Sequence, residues 1–441
     1  MRNPNGQTGF VAEVSMKAVR CAGAATAAAL LLLWTACGET YRPVANPVIP
    51  PQPNPAFAHV VMVLSDNGAN NPGASTTIDV SGDSATSQSQ TGLEPVHAVL
   101  VGGTQVYVAN SLEDTVSGFS AANAVPVITI SLPSSCALPP CSMPVFLGTT
   151  ETTELYAANF KSNTVSAIST ISNVMTNNIT VGTGPVALAE TPDANKVYVA
   201  NQGTNGSGGS VTVINTQDKS VVANPPLTSF GWVSPVWVLA RSDSQRAYVL
   251  DQGSGLVVAI DTSFDSVVGS VSVGTGANTM VYDPNLNRIY VVNPAANTVT
   301  SLDVSTDTLS ATPISVANPK SVAALPDGTR FYISSATLSG GTVTSMVTVI
   351  NAPDFTVKTT IPLASVPAIC AVKTWAELSV AAAGDSSRVY VANCDAGNTY
   401  IIQTTNDTLV TQLPAPFSAQ PPPTPGGTPP PQNPVFVLAG P

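Results

Sequence analysis

The chain has 441 residues, of which 44% are hydrophobic and only 9% are charged, and its formal net charge is −11 at pH 7. A globular protein usually has about 25% charged residues, so polar uncharged side chains are expected on most of this surface. An acidic chain without a basic stripe repels phosphate backbones, which argues against nucleic acid as a partner. Two histidines are too few for an imidazole-based metal or haem site, so no metal or cofactor is expected.

The first 36 residues are predicted to be an export signal. Lys17 and Arg20 precede an apolar run, residues 22–34, which is too short for a spanning helix of about 20 residues. Small residues then lead into Cys37, and this order resembles a bacterial lipoprotein signal with Cys37 as the lipidated first residue. Trp34 departs from that pattern, since Leu is usual there. Simple secretion and an uncleaved signal anchor remain the alternatives.

Residues 37–56 are predicted to be a tether, because they are rich in proline and lack apolar periodicity. Together with the signal, the tether predicts an exported protein held at the cell envelope by a lipid on Cys37. The membrane and leaflet stay open, and either Met1 or Met16 can serve as the start.

Residues 57–440 are predicted to form one β-propeller. A short strand motif, with apolar residues on both sides of a tyrosine, occurs seven times, and most copies end on a small residue followed by Asn. A strand-rich repeat of this length predicts propeller blades, because one small sheet cannot bury its faces without neighbours. The tyrosines are 42 to 58 residues apart: Tyr107, Tyr156, Tyr198, Tyr248, Tyr290, Tyr332 and Tyr390.

Each repeat is predicted to be a four-stranded antiparallel meander with strands A to D. Strand A often begins at a proline, as at Pro185, and strand B carries the tyrosine. Between them lies a turn of the pattern Asp-x-x-Lys or Asp-x-x-Arg, as at Asp193 and Lys196. Asp in such a turn accepts backbone N–H bonds, so we interpret these basic residues as turn structure and not as a binding patch.

The ends of the repeat region predict how the ring closes. The first strands lack a strand A, whereas residues 434–438 look like a strand A with nothing after it. The C-terminal strand is therefore expected to complete the first blade after a proline-rich linker, residues 414–434, which removes an open edge. Eight blades are predicted; seven is the alternative, if one N-terminal hairpin packs outside the ring.

The tyrosine motif, the turn and the period resemble the bacterial YVTN-type β-propeller repeat family over nearly all of residues 57–440. The resemblance implies a propeller with relatives that include lactonases and the propeller parts of nitrite and nitrous-oxide reductases. It transfers no catalytic residue, because no matching motif occurs in this chain.

Four cysteines follow the predicted anchor, and an even number in an exported chain favours two disulfides. Cys136 and Cys141 are expected to close a small proline-rich loop, and Cys370 is expected to pair with Cys394. Four free buried thiols are the alternative.

If the protein is an enzyme, the weak candidates are His97, Glu190 and Arg241, which lie on or at the end of strand A and could face the channel. An acid, a base and an Arg in a central pocket would suit a lactonase-like hydrolase. Packing or surface roles are the alternative for each of the three.

A candidate binding rim combines Phe230, Trp232, Trp237 and Trp375, which fall in or beside long connections before strand A. Exposed aromatic residues at a channel mouth would suit a carbohydrate, an aromatic ligand or a partner protein; plugging the channel as core is the alternative. We therefore expect a monomeric, non-catalytic binding or scaffolding module, with a lactonase-like hydrolase and a purely structural envelope protein as alternatives.

Overall fold

The structure is a computed structural model that describes residues 60–134, 136, 140–150, 153–204, 206–222, 225–370, 378–414 and 433–440. The predicted export signal, the tether and Cys37 lie outside these residues. Within the described ranges, no helix has the length and hydropathy needed to cross a membrane.

Eight antiparallel sheets form the blades, numbered 1 to 8 in chain order. Blade 1 contains β1 (Val60–Asp66), β2 (Pro72–Asp79), β3 (Ser84–Leu93) and the last strand of the chain, β32 (Asn433–Ala439). Blade 2 contains β4 (Pro95–Val101), β5 (Gln105–Asn110), β6 (Thr115–Ser120) and β7 (Pro126–Ser131). Blade 3 contains β8 (Pro144–Gly148), β9 (Glu154–Asn159), β10 (Thr164–Ser169) and β11 (Val174–Thr180). Blade 4 contains β12 (Pro185–Glu190), β13 (Lys196–Asn201) and β14 (Ser210–Asn215).

A short helix, α1 (Pro225–Thr228), precedes blade 5. Blade 5 contains β15 (Pro235–Ala240), β16 (Arg246–Asp251), β17 (Leu256–Asp261) and β18 (Ser266–Ser272). Blade 6 contains β19 (Thr279–Asp283), β20 (Arg288–Asn293), β21 (Thr298–Asp303), β22 (Thr308–Leu309) and β23 (Ile314–Ser315). Blade 7 contains β24 (Pro319–Ala324), β25 (Arg330–Ser339), β26 (Thr342–Asn351) and β27 (Thr356–Pro367). Blade 8 contains β28 (Leu378–Ala382), β29 (Arg388–Asn393), β30 (Asn398–Gln403) and β31 (Thr408–Pro414).

Two blades vary the four-stranded plan at their outer edge. Blade 4 has three strands, and a single bridge between Ile214 and Val221 stands where the fourth would be. In blade 6 the outer strand is divided into the short strands β22 and β23, which both pair with β21. The inner three strands keep the same order in both blades, so these differences leave the channel unaffected.

The ring closes as the sequence predicts. Each inner strand contacts the inner strands of the two adjacent blades, in the order β32, β4, β8, β12, β15, β19, β24, β28 and back to β32. β32 pairs antiparallel with β1, so that Val63 lies opposite Val437. The prediction of eight blades with a composite first blade is therefore confirmed, and the seven-bladed alternative is wrong.

The hydrophobic core lies between blades. Tyr198 of blade 4 is buried in one cluster with Val238 and Val249 of blade 5. Tyr332 of blade 7 is buried with Val380 of blade 8 in the same way. Each strand-B tyrosine is at most 2% exposed, because its ring fills the space between its own sheet and the next one.

In five of the seven repeats the hydroxyl of the strand-B tyrosine is bonded to the following blade. The exceptions are Tyr290, which donates to Asp283 of its own blade, and Tyr390, whose hydroxyl has no partner among the described residues.

In blade 4, Tyr198 donates to Asp265, and Lys196 Nζ lies 2.7 Å from the same carboxylate. Asp265 belongs to the turn between strands C and D of blade 5 and has a positive φ of 47°. We call this arrangement the interblade bridge: a tyrosine and the residue two positions before it, both bonded to the C–D turn of the next blade.

The interblade bridge recurs in blades 5 and 7, and in blades 6 and 8 the basic residue alone reaches the C–D turn of the next blade. In blade 7, Tyr332 and Arg330 both bind Asp407 of blade 8. Arg388 of blade 8 binds Asp83 of blade 1 with an Nε to Oδ1 distance of 3.0 Å, which ties the last complete repeat to the first. The basic residues, interpreted from the sequence as turn structure, therefore reach beyond their own turn.

The Asp of the A–B turn plays the local role that the sequence predicts. Gln245 donates its backbone N–H to Asp243 at 3.0 Å, and Thr329 donates to Asp327 at 2.9 Å. In blade 3 the charges of the interblade bridge are reversed, since Glu154 binds Lys219 of blade 4 and Lys219 Nζ also lies 3.0 Å from the Tyr156 hydroxyl. The same geometry thus accepts either polarity.

The reversed pair allows a charge-exchange test. Replacing Glu154 with Lys places two ammonium groups together in a mostly buried site, and we expect it to lower the free energy of unfolding by about 2 kcal/mol. Adding Lys219→Asp recreates the Lys–Asp polarity of blade 4 and should restore most of that loss. Urea unfolding of the four proteins of this cycle measures the effect. A double variant whose loss equals the sum of the two single losses would contradict the interblade bridge.

The carboxyl group of Asp407 makes the stability of the protein depend on pH in the acid range. Burial alone would raise the pKa of this carboxyl, but hydrogen bonds from Lys358, Tyr332 and Arg330 outweigh it and lower the pKa. A lowered folded-state pKa stabilises the protein above the unfolded pKa of about 3.9 and ceases to do so as the pH falls through the folded value.

We expect Asp407→Asn to lower the free energy of unfolding by about 3 kcal/mol at neutral pH, and the difference from the unaltered protein to shrink below about pH 4. Denaturant unfolding across this range measures both. Asp354→Asn is the control, because Asp354 also lies in a C–D turn but is exposed and bonds only within that turn, to Thr356. It should change stability by less than about 0.5 kcal/mol.

Candidate functional site

A cavity of about 400 Å³ occupies the channel at the ring's centre. Its wall is built by the first residues of the inner strands, together with two residues that directly follow a strand B. These two residues are Gln202 and Gln252. Because they follow the end of strand B, the cavity lies at the face of the ring where the D–A and B–C connections emerge. The lining residues are Val96, His97, Val145, Phe146, Val186, Gln202, Val236, Trp237, Gln252, Asn278, Thr279, Lys320, Ser321, Leu378, Ser379 and Phe436.

A β-bulge brings two adjacent side chains of the inner strand to the channel. In blade 2, Pro95 pairs with Asn110 and His97 pairs with Ala109, so Val96 is an extra residue without an opposite partner. The same shift follows the starting proline in blades 3, 4, 5 and 7. Proline has no N–H to donate to a ladder and fits a strand start, and a bulge redirects the side chains beside it.

Four aromatic rings form an arc along one side of the cavity, which we call the aromatic arc. His97 stacks on Phe146 with ring centroids 4.0 Å apart and contacts Phe436 at 4.8 Å. Phe146 meets Trp237 edge-on at 5.7 Å. These rings come from blades 1, 2, 3 and 5, so the aromatic arc covers about half of the ring.

The other side of the cavity is polar, and we call it the polar arc. Thr279, Ser321 and Ser379 occupy the corresponding position of blades 6, 7 and 8. Lys320 stands beside Ser321 in the bulge of blade 7. Amide groups of Asn278, Gln202 and Gln252 add donors and acceptors to the wall. The cavity is therefore two-sided, with rings on one side and one cation among hydroxyls on the other.

His97 is held neutral. Burial lowers the pKa of its imidazole to about 3. The backbone N–H of Leu147 donates to Nδ1 at 3.3 Å, so the neutral ring carries its proton on Nε2. A general base works best when its pKa is near the working pH. His97 is accordingly a packing and hydrogen-bonding group of the aromatic arc, not a base suited to neutral pH.

The other two candidate catalytic residues do not line the cavity. Glu190 ends β12, at the end of the strand away from the bulge, and accepts bonds from Thr150 N at 2.6 Å and Thr150 Oγ1 at 2.9 Å. Arg241 follows β15 and binds Asp243 and the carbonyl of Val304. Glu190 and Arg241 therefore have packing or surface roles, the alternative given for each, because the inner strand carries them to its end away from the cavity.

The residues of the predicted aromatic rim do not all lie at the cavity. Trp237 lines the cavity, whereas Trp232 is 6% exposed and donates from Nε1 to the Leu227 carbonyl at 2.7 Å. Phe230 packs on Trp232 with ring centroids 4.7 Å apart. Trp232 is therefore a core residue between blades 4 and 5 and does not line the cavity. Trp375 lies outside the described residues.

Of the sixteen lining residues, the sequence singles out only His97 and Trp237 as candidates. Phe146, Phe436 and Lys320 are among those that it misses. Each follows the first proline of its inner strand by one or two positions, as do His97 and Trp237. Aligning the repeats by their strand-A prolines would have placed all five residues at the same end of the inner strands, around the channel.

Both predicted disulfides form, and they fasten connections at the face where the cavity opens. Cys136 pairs with Cys141, and Cys370 pairs with Cys394. Asp114 accepts the backbone N–H of Cys141 at 2.6 Å, so the first connection is tied to a B–C turn. The alternative of four free thiols is wrong.

In the part of the chain that the structure describes, no group of three or more His, Cys, Asp or Glu residues could hold a metal ion. The fold and the cavity define the class of the protein: an eight-bladed β-propeller with a two-sided central cavity. No family model matches the chain. No curated protein matches it either.

Solved structures share the fold. The dihydro-haem d1 dehydrogenase NirN, in complex with DHE, is 9% identical with a TM-score of 0.60, over 81% of this chain and 73% of that one. A Bacteroides fragilis protein provisionally described as a 6-phosphogluconolactonase is 13% identical, with a TM-score of 0.51 over 88% and 99%. Kuenenia stuttgartiensis hydrazine synthase is 17% identical, with a TM-score of 0.50 over 64% and 90%. At these identities the likeness extends to the propeller fold alone.

The neutral state of His97 can be tested by titration. Since its folded-state pKa lies below the unfolded value, the unfolded chain binds more protons and stability falls as the pH drops from about 6.5 towards 3. We expect the His97 ring resonances to stay constant between about pH 5 and 8 in NMR spectra. His97→Phe keeps a ring in the aromatic arc and should lose less stability than the unaltered protein on acidification. A His97 resonance with a midpoint near 6 would refute the assignment.

Proposed function

We propose that the protein is a non-catalytic binding module, whose central cavity takes a small molecule or an exposed group of a protein or carbohydrate partner. The observation that carries the proposal is the two-sided wall of the cavity. An aromatic arc opposite a polar arc provides apolar contact area together with a few fixed polar groups, which is the usual composition of a ligand pocket.

The titratable groups of the cavity support binding over hydrolysis. Among its described lining residues there is no carboxylate, and His97 has a pKa of about 3. Lactone hydrolysis needs a group that activates water near neutral pH. The lactonase-like alternative would have to draw this group from outside the described wall.

We also propose that the protein is exported and held at the cell envelope through a lipid on Cys37, with the ring acting as a monomer. The two disulfides support export, because disulfides persist in oxidising compartments. The lipoprotein-like signal and the tether of residues 37–56 support the anchor.

The proposal predicts ligands whose binding depends on Trp237. Soluble protein, residues 38–441, is tested against a broad panel of carbohydrates and ring compounds by thermal shift. A ligand that raises the Tm should lose this effect with Trp237→Ala and keep it with Phe264→Ala. Phe264 serves as the matched control because it is 78% exposed and lies in a C–D turn.

A parallel pH-stat assay follows acid release from lactones. Turnover above that of heat-killed protein would overturn the non-catalytic assignment. Binding that survives Trp237→Ala would place the site outside the cavity. The absence of any ligand, with no lactone turnover, would favour the purely structural alternative.

A further inference from the structure

One inner-strand position is apolar in most blades and polar in blade 6. It is the position of Val96 in blade 2, and it carries valine in blades 1 to 5 and leucine in blade 8. Asn278 occupies it in blade 6, because the next residue, Thr279, pairs with strand B there as His97 does in blade 2. The backbone of the ring therefore accepts an apolar residue at this position, and the fold does not need the amide of Asn278.

The side chain of Asn278 has an unused hydrogen-bonding group. The residue lines the cavity, and its Oδ1 is buried without a hydrogen-bond partner among the described residues. A buried acceptor without a partner destabilises a folded protein, and native structures contain few of them. Since no described residue holds this oxygen, rotation about the last side-chain bond can turn either the oxygen or the nitrogen towards the cavity. Asn278 thus provides a group that a ligand can use and the ring does not.

Polar groups line the cavity in five consecutive blades, with blade 6 in the middle. Blades 4 and 5 contribute the carboxamides of Gln202 and Gln252, and blades 7 and 8 contribute the hydroxyls of Ser321 and Ser379. Ser379 Oγ accepts the backbone N–H of Val437 at 3.3 Å, which leaves its own hydrogen to donate to a ligand. A carboxamide presents a donor beside an acceptor, and a hydroxyl can act as either. This wall suits a ligand whose polar groups both donate and accept and surround it.

We propose that the cavity binds a neutral sugar ring, with a C–H face against Trp237 and Phe146 and its hydroxyls on Asn278 and the neighbouring carboxamides. This inference rests on the proposed function and names the ligand class of the same site. A pyranose carries hydroxyls around its edge, and each of them can donate and accept. The C–H groups of its ring form an apolar face, which packs on the negative face of an aromatic ring.

Charge and size favour a neutral ligand of one or two sugar rings. The described lining residues include no carboxylate, and Lys320 already has an interaction partner in the chain. A charged ligand would therefore leave water without gaining an opposite charge, which is costly. The net charge of −11 also repels anions. A volume of about 400 Å³ lies at the lower end of the range for small-molecule sites.

Isothermal titration calorimetry tests the proposal with glucose, galactose and N-acetylglucosamine, each free and as its methyl glycoside. The protein spans residues 38–441, which include every described strand. At least one of these neutral sugars should bind saturably at one site per chain. Galacturonate, glucosamine and indole probe an anionic sugar, a cationic sugar and a flat aromatic ring, and all three should bind more weakly than the best neutral sugar.

The free sugars and their glycosides distinguish two sources of the same ligand. Binding of a free sugar but not of its methyl glycoside indicates a free monosaccharide. Equal binding of both indicates the end of a glycan, because the methyl group stands where the rest of the glycan would be attached. Both results agree with the proposal.

Asn278→Val gives blade 6 the residue that five other blades carry, so the ring should fold. Its Tm should be at least that of the unaltered protein, because an unpartnered buried acceptor is removed. The affinity for the best sugar should fall about tenfold, as expected for one lost hydrogen bond. Gln202→Met keeps the size of the side chain, removes a second amide and should lower the affinity in the same way. Asn177→Val is the matched control: Asn177 is an exposed asparagine of the outer strand β11 and does not line the cavity.

The outcomes separate this inference from the proposed function. Sugar affinity that survives Asn278→Val would overturn the assignment, and Gln202→Met decides if the first variant does not fold. Galacturonate, glucosamine or indole binding more tightly than every neutral sugar would overturn the ligand class and leave the binding module in place. If no sugar binds, the sugar assignment falls, and the thermal-shift panel then decides whether the cavity binds anything.

Discussion

The fold depends on the contact between neighbouring blades, and the interblade bridge is its polar part. A single four-stranded sheet has two faces to bury, and in this ring each face is covered by the adjacent blade. The strand-B tyrosine contributes its ring to that core, and in five of the seven repeats its hydroxyl is bonded to a C–D turn of the next blade, as Tyr198 is to Asp265. Since a buried hydroxyl without a partner costs about 1–3 kcal/mol, the partner selects one relative position of the two sheets. Where the pairing changes, as in Glu154 with Lys219, the geometry persists.

Most of the fold could be predicted because every strand carries its own local signal. The strand-B motif, the starting proline and the turn Asp lie within a few residues of one another, so one copy suffices to interpret the others. The unpaired final strand predicted closure because an open edge would expose unmet backbone groups. The interblade bridge could not be predicted, because its partners are far apart in the chain: 69 residues separate Lys196 from Asp265.

The candidate site could be predicted only in part, for a geometric reason. An inner strand of six residues, such as β12, has one end at the cavity and the other end away from it. Membership of strand A therefore cannot distinguish His97, which lines the cavity, from Glu190, which does not. The bulge adds a further uncertainty, since it turns both Val96 and His97 towards the channel where simple alternation would allow one. Likewise, tryptophan in a long connection fits a rim or a core equally well, and Trp232 belongs to the core.

Residues at the interblade bridge and residues at the cavity wall vary from blade to blade in different ways, and this contrast bears on function. At the interblade bridge, substitutions preserve an attraction: an acid replaces a base in blade 3, and its partner changes sign with it. At the cavity wall, residues in equivalent positions change chemical class, from Val186 to Lys320 and from Phe146 to Ser379. Stability requires the first pattern, because every blade must hold its neighbour. It does not require the second, because the bulged inner strands of blades 2, 3, 4, 5 and 7 share one backbone arrangement although their side chains differ. The asymmetric wall inside a ring of repeated blades is therefore the observation that supports the proposed binding function.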